Sequence, residues 1–176
     1  SNEDLRSRSD SCIMKKEIKF CEAATAAFTG HRWYDSSRKQ NIMEKLEGCV
    51  REAYKNGITN FISGMAIGFD LLAAEVVLSL KQECPAITLT AVLPFRDQAS
   101  RFNELNKCRY YKCLSQADDI VILSNGYTAK CYLERDRFMV EHSSLLIACY
   151  DGRNRGGTFW TVNYAARTGK NVINIY

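Results

Sequence analysis

Apolar residues recur along this chain in two rhythms, and the alternation between them sets the class of fold. Short, nearly continuous apolar or β-branched runs fall at about 24–29, 60–63, 87–93, 119–123, 145–150 and 171–175, each ended by glycine, proline or polar residues. Runs of this kind read as strands buried on both faces. Between them lie segments with helical spacing, at about 36–56, 70–82, 99–116, 129–143 and 158–169. In the first of these, Ile42, Leu46, Cys49, Val50 and Ala53 form one stripe, and Gly57 ends the helix. In the second, apolar residues from Leu71 to Leu80 cover most of the circumference, so that helix should be enclosed. The third turns Phe102, Leu105, Cys108 and Leu114 inward, and the fourth is strongly charged from Glu134 to Arg137. Alternating strands and helices predict an α/β protein, a Rossmann-like three-layer α/β/α domain with a mainly parallel central sheet of about six strands. The strand order 3-2-1-4-5-6 fits six strands. It would put the reversal between strands 1 and 4, with loops 30–32 and 124–127 on either side of a crevice.

Composition narrows this picture. The 176 residues, 46% of them hydrophobic, suit one well-packed domain over 20–176, preceded by a polar tail over 1–19. No apolar run approaches the roughly 20 residues needed to cross a bilayer, so no membrane partner is expected. The first 19 residues hold no apolar core of a secretory signal. The eight cysteines include no C-x-x-C pair and there are only two histidines, so neither a zinc site nor any other metal or cofactor is expected. Several cysteines, Cys49 and Cys149 among them, sit inside apolar patterns as small hydrophobes. Free thiols in a reducing cytoplasm are the expectation. The net charge of +4 is mild for a dedicated DNA binder.

The most informative stretch is Ser63-Gly64-Met65-Ala66-Ile67-Gly68-Phe69-Asp70, between a strand and a helix, with Glu75 further along that helix. Two glycines let the backbone turn sharply and approach a ligand. Asp70 stands where an N-cap belongs, and first-turn N–H groups of a helix attract anions. The plain alternative is a strand-to-helix turn without a ligand. Thr29-Gly30-His31-Arg32 and Asp151-Gly152-Arg153-Asn154-Arg155-Gly156-Gly157-Thr158 also follow apolar runs. Loops at several strand ends can therefore converge on one crevice. Lys130, Arg135 and Arg137 join Arg32, Arg153 and Arg155 as basic residues that either touch a ligand or simply meet solvent. His31 reads as a ligand contact or a structural hydrogen-bonder, and Trp33 and Tyr34 as stacking surfaces or packing.

Thr29-Gly30-His31-Arg32, the 63–70 loop with Glu75, Leu93-Pro94-Phe95, Arg137-Phe138-Met139-Val140-Glu141 and Gly156-Gly157-Thr158, in this order, resemble the YpsA-like family of the SLOG superfamily. The superfamily is Rossmann-like. Its relatives include DprA, with a similar Ser-Gly-x-Ala-x-Gly-x-Asp loop, and the LOG phosphoribohydrolases. The resemblance implies a site for a nucleotide-like ligand, formed from Gly30, His31, Arg32, Ser63, Gly64, Gly68, Asp70, Arg137, Gly156, Gly157 and Thr158. LOG enzymes carry Pro-Gly-Gly-x-Gly-Thr-x-x-Glu, whose Glu serves glycosidic cleavage. The matching position here is Thr161, which leaves Glu75 and Glu141 as candidate carboxylates. Glu75 could bond ribose hydroxyls or pair with a neighbouring base.

Three functions remain open: binding or sensing of a nucleotide-derived, phosphate-bearing small molecule; hydrolysis of a nucleotide or N-glycosidic bond; and DprA-like single-stranded DNA binding. Thr161 argues against the second, and the modest charge against the third. A homo-oligomer is compatible with all three.

Overall fold

A computed structural model describes residues 20–176; the tail expected over 1–19, with Cys12, lies outside the described residues. Six strands form one fully parallel sheet: β1 (Thr25–Gly30), β2 (Asn60–Ser63), β3 (Thr88–Leu93), β4 (Asp119–Ile122), β5 (Leu145–Cys149) and β6 (Asn171–Asn174). Five helices cross between them: α1 (Lys39–Lys55), α2 (Phe69–Lys81), α3 (Glu104–Gln116), α4 (Cys131–Glu141) and α5 (Gly157–Arg167).

The period of two along each strand separates two cores. Phe28, Phe61, Leu89 and Ile147 face one side, where Ile42, Leu46 and Val50 of α1, nearly all of α2, and Tyr110 and Leu114 of α3 pack on them. Ala27, Ile62, Val92, Val121 and Leu146 face the other side, against Met139 and Val140 of α4 and Ala165 of α5. The result is the three-layer arrangement that alternating strands and helices predict. α2 is enclosed because it lies against α1, α3 and the first three strands. α1 ends in a Schellman motif: Gly57, at φ +97°, donates to Tyr54, and the Ile58 N–H reaches the Ala53 carbonyl at 3.0 Å.

The strand order differs from expectation. It is β4-β3-β2-β1-β5-β6, so the reversal lies between β1 and β5. Each crossover from β1 to β4 steps outward in the same direction, which carries β4 to the edge. The chain then returns through α4 over the opposite face to place β5 beside β1. Loop 124–127 therefore stands three strands from β1 rather than next to it.

The third helix also starts later than its apolar spacing suggests. A 3-10 turn, Gln98–Arg101, precedes it, and the Asn103 side chain accepts from the Asn106 N–H at 2.8 Å to cap α3. With that start, Tyr110, Cys113 and Leu114 face the core, while Leu105 and Cys108 point to solvent. None of the seven described cysteines is paired in a disulfide. Among the described residues no helix is long and apolar enough to cross a membrane.

Candidate functional site

Beyond the carboxyl ends of β1 and β5, which stay paired up to Gly30 and Cys149, the loops at the reversal leave a cavity of about 540 Å³. Gly30, His31 and Arg32 enter it from β1, Asp70 from α2, and Gly156, Gly157 and Thr158 from the loop after β5. Tyr132, Arg135 and Asp136 reach it from α4, and Arg153 and Arg155 stand at its wall.

The two glycine loops that look alike in sequence are built differently. The 63–68 loop is closed on itself. Ser63 Oγ donates to the Asp70 carbonyl at 2.8 Å and accepts the Met65 N–H at 3.2 Å. The Phe69 N–H donates to the His31 carbonyl at 3.2 Å, and the Leu71 N–H to the Ala66 carbonyl at 3.0 Å. Most first-turn donors of α2 are thus already satisfied. Asp70 is the second residue of α2; the N-cap is Gly68, at φ +82°. A Cβ at Gly68 would collide with the Arg32 backbone, and one at Gly64 with the Arg135 guanidinium. Ser63, Gly64 and Gly68 accordingly shape the wall and do not line the cavity.

The loop before α5 is open. Gly156, at φ +92°, is the N-cap. The Trp160 N–H bonds the Gly156 carbonyl at 3.1 Å as the first intrahelical bond, so the N–H groups of Gly157, Thr158 and Phe159 have no partner within the helix. These donors and the helix dipole favour an anion. Arg32, exposed and without an ion pair among the described residues, lies over the Tyr132 ring at 4.9 Å. Arg153 is engaged by the Asp151 carboxylate, which that bond holds below the usual carboxylate range.

Asp70 is the anomaly. It is 8% exposed and lines the cavity, and while the Ala66 backbone bonds its carboxylate, its Oδ1 has no hydrogen-bond partner among the described residues. Burial pushes its pKa up to about 7 against the opposing charges of Arg135 and Arg32, with Asp136 adding to the rise.

His31 serves as a latch. Burial lowers its pKa against the Asp151 carboxylate, and Nε2 lies 3.2 Å from the Asp151 N and 3.1 Å from its Oδ1, joining the β1 and β5 loops.

Other expected residues lie elsewhere. Glu75 pairs with Arg109 of α3 and does not line the cavity. Arg137 packs over Tyr164 at 5.6 Å and meets Glu141 at 4.0 Å, and Glu141 accepts from the Tyr164 hydroxyl at 2.6 Å, all away from the cavity. Thr161, where LOG enzymes carry Glu, donates its hydroxyl to the Gly157 carbonyl at 2.7 Å.

Arg135 is the residue that sequence reasoning undervalued. Its guanidinium is buried, bonding the Gly64 carbonyl at 2.5 Å and Asp136 at 2.7 Å. The signal was present, because Cys131, Arg135 and Met139 form the buried stripe of α4 and an arginine there needs an internal partner.

The model of the YpsA family, described as a SLOG family, matches residues 27–175. A UPF0398 protein of Bacillus cereus (strain G9842) is 31% identical over 155 residues, 82% of this chain and 83% of the relative. A UPF0398 protein of Bacillus pumilus (strain SAFR-032) is 29% identical over 133 residues, 74% of this chain and 72% of the relative. Among solved structures, DNA processing protein A from Helicobacter pylori, reported for its single-stranded DNA binding mode, aligns with a TM-score of 0.60 at 20% identity. The match covers 86% of this chain but 64% of that one, so this chain spans less than two thirds of its length. The structure of TM1055 aligns with a TM-score of 0.54 at 14% identity, over 84% of this chain and 71% of the other. At these identities the likeness is one of fold.

Proposed function

This chain belongs to the YpsA family of SLOG proteins, and on that premise we propose that the β1–β5 cavity binds a phosphate-bearing, nucleotide-like small molecule. One observation carries the reading. The open N-terminus of α5, Arg32 and Arg155, neither in an ion pair among the described residues, and the buried Asp70 with its unpaired Oδ1 all meet at a single cavity. The phosphate sits on the 157–159 N–H groups and Arg32. Asp70 accepts a hydrogen bond from a ribose hydroxyl, which supplies the partner that its Oδ1 lacks. LOG-type hydrolysis is not the main role, because the equivalent of the LOG glutamate is Thr161, whose hydroxyl is held inside the helix.

Calorimetric titration with nucleotides and ribose phosphates tests this. Losing one charge-assisted hydrogen bond costs roughly 1.5–3 kcal/mol, so Arg32→Ala is expected to bind at least tenfold more weakly while melting like the wild type without ligand. Gly157→Ala places a methyl at the anion position with its nearest neighbour, Asp136 Oδ2, 3.7 Å away. It should fold normally and lose the ligand. Wild-type affinity in both variants would rule the site out, and release of free base from nucleotides at about 1 per second would establish a hydrolase instead.

Single-stranded DNA is the second reading. Trp33, 78% exposed, stands at the cavity wall next to Arg32, and an exposed aromatic beside a cation can stack a base.

A further inference from the structure

Across Arg32 and Tyr132 lies a second cavity, of about 570 Å³, which shares those two residues and Ala66 with the first. It extends the crevice over the other half of the sheet. The loops after β2, β3 and β4 build it, and the Arg96 N–H ties the last two together by donating to the Ser124 carbonyl at 3.1 Å. Phe95, Tyr127 and Tyr132 meet there in mutual ring contacts, with centroids 5.8 Å, 6.1 Å and 6.3 Å apart. Tyr127 is 67% exposed, an uncommon position for a ring that could bury itself. Among the described residues no carboxylate lines this chamber, whereas Arg32 and Arg101 do.

We propose that this chamber is the ring subsite for the base of a nucleotide whose phosphate occupies the first cavity; the inference rests on the reading of that cavity given above. Aromatic faces beside a guanidinium suit a planar, electron-rich ring. A cationic ligand would find no acid there, and an acyl chain would have to desolvate arginines. Each cavity alone is large enough for a small ligand, so a ribose phosphate fills the first and leaves the second open. Arg32, on the shared wall, is within reach of both parts. The Gln98 side chain is already engaged by the Gly64 carbonyl and by Arg135. The chamber therefore offers stacking more than reading of base edges, and purines bind more tightly than pyrimidines.

The test compares ribose 5-phosphate, AMP and UMP by calorimetry on the wild type, Tyr127→Phe and Tyr127→Ala. Tyr127 is exposed on a loop, and a thermal melt checks that both variants fold. Stacking of one base corresponds to about five- to a hundredfold in affinity. AMP is expected to bind more tightly than ribose 5-phosphate by that factor, with UMP between them. Tyr127→Ala should remove the gain without changing ribose 5-phosphate binding, and Tyr127→Phe should keep it. If ribose 5-phosphate and AMP bind alike, or if Tyr127→Ala leaves the AMP gain intact or weakens both ligands equally, the ring subsite is refuted while the phosphate site stands. If none of the three binds, the phosphate reading falls and the ring subsite with it.

Discussion

A carboxylate at position 70 that is nine-tenths buried with an empty oxygen works against folding whenever it is ionised. Its folded pKa of about 7 lies above the value of about 3.9 expected in the unfolded chain. The folded state therefore holds the proton more tightly. Stability is highest below about pH 4 as far as this group is concerned, falls as pH rises through about 7, and is flat beyond. Asp70→Asn removes the ionisation and keeps the shape. In urea unfolding it should exceed the wild type at pH 8, by up to roughly 1.4 kcal/mol per unit of raised pKa, and match it below pH 4. The same variant should bind ligand more weakly, because an amide is a poorer acceptor than a carboxylate. A substitution that gains stability and loses binding marks a residue held for function. If the stability gain of Asp70→Asn over the wild type is no larger at pH 8 than at pH 4, the carboxylate is not buried in its charged form.

At the scale of elements, the two glycine-bearing turns before α2 and α5 teach opposite lessons. Both were visible in the sequence as apolar run, glycine, helix. Whether their amides are free was not visible, since that depends on the His31 carbonyl and on the Ala66 carbonyl curling back onto α2. Gly64→Ala pushes a methyl into the Arg135 guanidinium, itself fixed by Asp136 and Gln98, and should lower stability by about 1–3 kcal/mol, whereas Gly157→Ala should not. Matched melting curves for the two would show that the Gly64 contact can relax. Helix phase was similarly half legible. The α1 stripe is legible because one apolar face dominates that helix. In α3 the polar cap at Asn103, rather than the apolar spacing, set where the helix begins, and Leu105 fell outside.

For the whole molecule, the class of fold, the strand count and the parallel sense followed from the alternation of buried strands and helices. The position of β4 did not, because right-handed crossovers fix the hand of each step but not the edge on which it lands. The consequence reaches the site: the reversal lies at β5, and the crevice borrows Tyr132 and Arg135 from the helix that makes the return. The cation count bears on the second functional reading. Three phosphates of a single strand held by Arg32, Arg153 and Arg155 would give a log–log salt slope of about −2. Oligonucleotide binding is expected to be weak and lost by 200 mM salt in a fluorescence titration; a tight complex surviving there would favour DNA over the small ligand.

The order of the sheet also bears on how the chain is made. Once synthesis has passed β4, the first four strands and α1–α3 can assemble, yet Ala27, Ile62, Val92 and Val121 still face water and β1 still has an open edge. Among the described residues α4, α5, the last two strands and Phe20 pack on that face. A nascent chain stalled at that point, or one truncated before β5, presents a greasy plane and an unpaired strand side by side, the combination that recruits other chains. The segment that completes the candidate crevice is thus also the one that covers this apolar plane.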